Sequence, residues 1–255
     1  MKIVVCYKNV PDEQDIAVKA DRTLDFSGAV WKIGQYDLNA IEAGTVLATA
    51  TGDSEVIVLT AGGAVVDNSK QKKAVLSRGG ARVIGVMDEA LAATDTLTTA
   101  TVLKAAIEKI GGVDLVLFGE GSGDLYAQQT GTVTGSLLGW PTVNAVQSME
   151  HKGGVLAVTR NTGDGVELLE VSLPAVIAVT TDINVPRIPS MRDIIAAGKK
   201  PVEVWSLGDI GVTTQSATEV ISILAPEAAE RKQMVLEDDS AENIEVLYQH
   251  LRKLL

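Results

Sequence analysis

The 255-residue chain predicts an α/β fold built on a parallel sheet, with a hairpin extension and a C-terminal arm. Three observations carry this. Short β-branched runs alternate with segments of helical spacing, as βαβ units require. One of those runs, Val113–Phe118, ends directly in the glycine-rich stretch Gly119-Glu120-Gly121-Ser122-Gly123-Asp124. Past residue 150 the period changes to two, around the turn Asn161-Thr162-Gly163-Asp164-Gly165.

Strands are expected at Lys2–Cys6, Glu55–Thr60, Ala81–Val86 and Val113–Phe118, each too apolar to have a wet face. Between them, Tyr36–Ala50 repeats apolar residues at Leu38, Ile41 and Val46, with alanines filling the same face. Ala64–Ser77 and Thr96–Ile110 behave likewise, the latter stopped by Gly111-Gly112. A helix over Leu125–Leu138 is expected after the glycine loop, capped by Asp124 and broken by Gly139-Trp140-Pro141. His151–Leu173 reads as a hairpin, and Pro174–Val179 as a further buried strand. Thr180–Val204, with Pro186, Pro189 and Pro201, reads as a loop with one short helix. The Ser/Thr/Ala-rich stretch from Ile210 to Ala229 cannot bury a core of its own, so it is mobile or laid on another protein. Ser240–Leu255 is an amphipathic helix, capped by Ser240, with Ile244, Leu247, Leu251 and Leu254 on one face. The boundary is set at 204, with 1–204 as the α/β domain and 205–255 as the arm.

A glycine loop from strand end to helix start leaves backbone N–H groups pointing outward and suits a phosphate, although an ordinary strand-to-helix turn has the same pattern. The loop lacks both the G-x-G-x-x-G spacing and a Walker lysine. Its Glu120 and Asp124 would repel a polyphosphate, so a nucleotide held by few charges fits better than a hydrolysed triphosphate. In open parallel sheets ligands bind beyond the carboxyl ends of the strands. Those ends are Cys6-Tyr7-Lys8, Thr60-Ala61-Gly62-Gly63 and Gly119–Asp124.

A net charge of −11 argues against a nucleic-acid or anionic-membrane surface. The one cysteine, Cys6, excludes an internal disulfide and reads as a buried thiol. The chain opens on a strand with no room for a signal peptide, and no apolar run approaches a membrane span, so a cytoplasmic location is expected. His151 and His250 neighbour no metal-like cluster, and neither a metal site nor a catalytic side chain is expected.

Several motifs together resemble the β subunit of the electron transfer flavoproteins from end to end. They are Lys2–Pro11, Gln35-Tyr36-Asp37-Leu38-Asn39-Ala40-Ile41-Glu42-Ala43, Gly119–Gly131 with Trp140-Pro141, Glu167-x-Leu169-x-x-x-x-Pro174-x-Val176-Ile177-Ala178, and Asn184-x-Pro186-Arg187 through Lys199–Val204. Pro11–Asp15 and Gln35–Asn39 look most like the Fix-type members associated with carnitine and acyl-CoA reduction. The resemblance implies an adenine nucleotide α-hydrolase-like fold and a heterodimer whose α subunit holds the redox FAD. Such a complex shuttles electrons between an acyl-CoA-type dehydrogenase or reductase and another redox partner. It further implies AMP, or a second FAD, in the β chain.

Carried onto this sequence, that nucleotide site comprises Cys6, Gly34, Gln35, Tyr36, Asp37, Ala61, Gly119, Gly121, Ser122, Gly123, Asp124, Gln128, Gln129 and Thr130. The segment Arg187, Ile188, Met191 and Ile194 implies a dehydrogenase-docking loop, with Met191 where the family has an anchoring leucine. One departure stands out: Asn161 replaces an acidic residue expected beside Arg160. A stand-alone stress-type nucleotide-binding module is the alternative, but such a chain would normally end near residue 150.

Overall fold

The computed structural model describes residues 1–214, 216–227 and 233–253. Leu254 of the terminal helix and Ala228 and Ala229 of the tail lie outside the described residues. One sheet of nine strands organises the chain: β1 (Lys2–Cys6), β2 (Glu55–Gly62), β3 (Arg82–Met87), β4 (Leu115–Gly119), β5 (Thr142–Lys152), β6 (Val155–Asn161), β7 (Val166–Ser172), β8 (Ala175–Val179) and β9 (Val202–Trp205). Across the sheet the order is β7-β6-β5-β8-β4-β1-β2-β3-β9. All neighbours are parallel except at β5-β6 and β6-β7, so the expected hairpin prolongs the main sheet.

Among the described residues six α-helices accompany it: α1 (Gln35–Thr51), α2 (Ser69–Leu76), α3 (Thr96–Ile110), α4 (Thr130–Leu138), α5 (Met191–Ala197) and α6 (Ala241–Arg252). Side chains alternate through the central strands into two cores. Ile3, Val5, Val58 and Leu117 meet α1 and α2 on one face. Val4, Ile57, Val116 and Phe118 meet α3 on the other. Helices on both faces are what bury strands with no polar side. A Cβ on Gly44 of α1 would stand 2.9 Å from Val5 Cγ2 and 3.2 Å from Leu117 Cδ1, so its absence lets α1 settle close over β1 and β4.

From β1 the chain winds outward through β2 to β3, then returns beside β1 as β4 and winds the other way to β8. The strand order therefore reverses between β1 and β4, which opens a crevice beyond their carboxyl ends. Between β1 and α1, two short antiparallel pairs stand above that end, Asn9–Pro11 with Trp31–Ile33 and Ala17–Val18 with Leu24–Asp25.

The helix expected over Leu125–Leu138 starts instead at Thr130, and Asp124 does not cap it. Tyr126 and Gln128 adopt positive φ, 46° and 57°, which no helix tolerates. Asp124 spends its carboxylate on the Leu125 amide and on Lys8. The Ala64–Ser77 segment is divided, with a 3-10 turn at Ala64–Asp67 before Asn68 caps α2 through the Lys70 and Gln71 amides. Strand β5 was not expected. Its exposed Asn144, Glu150 and Lys152 dilute the apolar signal of Val143 and Val146.

The tail is not free over its first half. Asp95 Oδ2 accepts hydrogen bonds from Ser216 Oγ (3.1 Å) and the Ala217 and Thr218 amides (2.7 and 3.1 Å). Further on, the Ala225 amide donates to Arg22 O and Arg22 meets Glu227 at 3.0 Å. Among the described residues no helix is long and apolar enough to cross a membrane.

Candidate functional site

The crevice is assembled around Asp37, in the first turn of α1. Asp37 Oδ2 accepts the Lys8 amide at 2.8 Å, and the carboxylate also receives the Gly119 amide, so one buried side chain ties the ends of β1 and β4 to α1. Burial pushes its carboxyl up to about 7, against the two amides and the Lys8 charge, while Asp124 adds to the rise. Gly34 and Gly119 are the spacers that let this carboxylate in. A Cβ on Gly34 would stand 2.8 Å from Asp37 Oδ2, and one on Gly119 would stand 2.6 Å from the Tyr36 carbonyl carbon. Asp37 thus shapes the crevice by holding its walls, with both oxygens directed at backbone.

Above it lies the glycine loop. Its Glu120 amide is taken by Val179 O and its Tyr126 amide by Ser122 O. Among the described residues the amides of Gly121, Ser122, Gly123, Gln128 and Gln129 have no acceptor. The first amides of α4, from Thr130 onward, are also free of intrahelical partners by construction. Together they form a backbone nest at the positive end of a helix, a chemistry that suits a phosphate or carboxylate oxygen.

Tyr126 folds back over Gly121, where a Cβ would meet its ring at 2.4 Å, and packs on Tyr36 with ring centroids 5.3 Å apart. Its hydroxyl donates to Glu120 Oε1 at 3.2 Å, which turns that carboxylate toward a neutral partner. Lys8 reaches the loop as well, its Nζ 2.6 Å from Asp124 Oδ2. The sequence shows no lysine in a phosphate-binding motif, yet the fold brings one to the loop. Burial alone would raise the Asp124 carboxyl, but bonds from Lys8 and Ser122 outweigh it and leave it low.

Of the residues expected at a nucleotide site, Gly34–Asp37 and Gly119–Asp124 converge on this crevice, with Gln128, Gln129 and Thr130 at the entrance of α4. Cys6 and Ala61 pack below it in the α3-side core. Burial, helped by Asp37, holds the Cys6 thiol well above its ordinary pKa, so it is an inert wall. Lys8, Glu120 and Tyr126 fall within the strand-end and loop segments expected to meet a ligand, but no separate role is expected for any of them from the sequence. Lys8's place two residues past a strand end is a usable signal; the left-handed backbone of Tyr126 is not.

A second constellation lies on the segment after β8. Ser190 and Asp193 form a capping box for α5. Val185, Ile188, Met191 and Ile195 stand open to solvent around it, with Met191 72 % and Ile188 93 % exposed, so none of the four is core. Ile194, the next residue of the expected docking set, is also exposed. Arg187 is committed instead to Glu42 of α1, through Nε (2.7 Å) and Nη2 (3.0 Å). One turn earlier on α1, Asn39 Nδ2 donates to Asn184 O at 2.8 Å, and Asn184 Nδ2 returns a bond to Asn39 O. The loop is rigidly footed with an apolar top.

Arg160 pairs with the strands on either side of β6, at 2.7 Å from Glu167 of β7 and 3.2 Å from Asn144 of β5. Among the described residues no three His, Cys, Asp or Glu side chains gather as metal ligands would. A family model described as the electron transfer flavoprotein domain matches residues 22–210, which takes in the glycine loop and the footed segment.

Proposed function

This chain belongs to the electron transfer flavoprotein family, and on that premise we propose that it is the β-type subunit of a two-chain electron carrier. The observation that carries the reading is the amide nest at the switch point, beside Lys8, which is itself paired with Asp124 at 2.6 Å. Such a site favours a monophosphate over a triphosphate, whose charge would meet Asp124 and Glu120. AMP is the ligand we assign, with a second FAD as the alternative at the same place. The nest amides, Lys8 and the α4 entrance would take its phosphate. AMP has no redox chemistry and acts as a wedge that fixes the glycine loop. The electrons are carried by an FAD held mainly by an α subunit.

The described part of the tail and α6 supports an α partner. Ile244, Leu247 and Leu251 of α6 are each about half exposed, a face without a core to join. The partner at the other surface is a dehydrogenase or reductase of the acyl-CoA type, in the Fix-type, carnitine-linked branch. Denaturing the purified complex and chromatographing the supernatant tests the nucleotide. One AMP per chain is expected; two FAD per heterodimer overturns AMP, and no nucleotide removes the site.

Met191 is the apolar anchor of the docking segment in this reading. Truncation to alanine removes contact worth roughly 1.5–3 kcal/mol, a ten- to hundredfold loss of affinity for the dehydrogenase. Because the side chain is open to solvent, melting temperature and flavin content should not change. Electron transfer measured over a range of carrier concentrations reads the loss. A variant that loses stability or flavin and keeps its affinity refutes the docking role.

A further inference from the structure

Beside the nucleotide crevice lies a cleft of ≈ 460 Å³, within the roughly 300–1,000 Å³ common for small-molecule sites. Its walls come from the Asn9–Pro11 and Trp31–Ile33 strands, the start of α1 and the outer side of α2. Val10, Pro11, Ile33, Leu38 and Ala74 make these walls apolar. Lys32 and Glu13 sit on the rim but cancel each other, since Lys32 is bonded to Glu13 at 2.5 Å and lies 3.3 Å from Asp12. Gln71 Nε2 donates to Trp31 O.

Arg78 is the charge left over. Its Nη1 donates to Ala74 O at 2.8 Å, while its buried Nε has no acceptor, and among the described residues it has no carboxylate partner. A guanidinium in an apolar-walled cleft is costly without a counter-charge. With Nη1 occupied and Nε closed off from solvent, Nη2 is the donor left for a ligand, and a carboxylate there gains a charge-assisted hydrogen bond. Burial also lowers the Arg78 pKa, in keeping with a charge that lacks a partner.

We propose that this cleft is a binding site for a small organic anion with an apolar body and a carboxylate, the carboxylate seated on Arg78 and the body between Ile33, Leu38 and Ala74. The site is separate from the nucleotide crevice. It shares Gln35 and the nest residue Gly123 with that crevice, while the other nest residues Gly121, Ser122, Gln128 and Gln129 and the cation Lys8 do not line it. Occupation can therefore press on the glycine loop through Gly123 without displacing a phosphate, which makes the cleft a place for a regulatory ligand.

Equilibrium dialysis of the full chain, in the assembly in which it purifies, tests this with 2-naphthoate as the probe and 2-naphthol as its uncharged counterpart. Saturable one-to-one binding of naphthoate is expected, at least tenfold tighter than naphthol. Arg78→Gln should erase that preference, bringing the two dissociation constants to within about twofold. Ala74→Leu, which leaves Arg78 and its backbone partner in place, should fill the cleft and abolish both. Saturating AMP should not displace naphthoate. Equal binding of both probes, an unchanged preference in Arg78→Gln, undiminished binding in Ala74→Leu, or competition by AMP would each overturn the proposal.

Discussion

Gly119→Val should yield a chain that retains no nucleotide and is destabilised by about 3 kcal/mol or more. The added atoms cannot be absorbed by a rotamer change, because the Cβ alone would stand 2.6 Å from the Tyr36 carbonyl carbon and 2.8 Å from Asp37 Oδ1. Either β4 or the first turn of α1 must move, and the Gly119 amide then loses Asp37 as a buried acceptor. Gly123→Ala is the matched control. Nothing lies within 4 Å of its Cβ, so its unfolding midpoint should stay within about 0.5 kcal/mol of the parent. Urea unfolding together with released nucleotide measures both. Equal stability of the two variants would show that the close approach of β4 to α1 is not required.

Asp37 supplies the second large effect, and it depends on pH. Its folded pKa is raised from 3.8 to about 7. Between those values the folded chain keeps a proton that the unfolded chain has released, so stability falls as pH rises. This group's contribution is complete below about pH 4 and is lost through about pH 7, a difference of about 4 kcal/mol for a three-unit shift. Asp37→Asn removes the titration. It also sacrifices one of two acceptors, so it should be weaker at pH 5, with the gap closing or reversing by pH 8. Denaturation midpoints of both proteins at pH 5, 6, 7 and 8 decide the matter. Parallel profiles would mean that Asp37 does not titrate in this window.

The parallel core was legible because burial on both faces leaves strands such as Ile3–Cys6 and Leu115–Phe118 without polar positions, a pattern that needs no tertiary knowledge. Helix α3 was legible to the residue, being bounded by Asp95 as cap and Gly111 as stop. What failed depended on distant contacts. The entrance of α4 is delayed to Thr130 because Tyr126 folds over Gly121 and packs on Tyr36, 90 positions back. Strand β9 is held at the sheet edge by Arg82, which bonds both Glu55 and Glu203, and its four residues carry little signal of their own. At the site, glycine spacing pointed to the loop. Arg78 and the cleft were invisible, since their meaning comes from an arginine reaching no carboxylate.

Helix α1 joins the two constellations. Tyr36 and Asp37 frame the crevice, while Asn39 and Glu42 grip the segment that carries Met191. Only about 7.5 Å of helix separates Asp37 from Glu42. The apolar top of that segment is thus a cassette with a fixed socket, and grafting it between relatives is a matter of matching parts. A transplanted loop from Asn184 to Ala197 should seat only if Asn39 and Glu42, or equivalents of the same reach, travel with it. Exchange of Ile188, Met191 and Ile195 alone leaves the socket intact and is the smaller graft to attempt when partner choice is to be redirected.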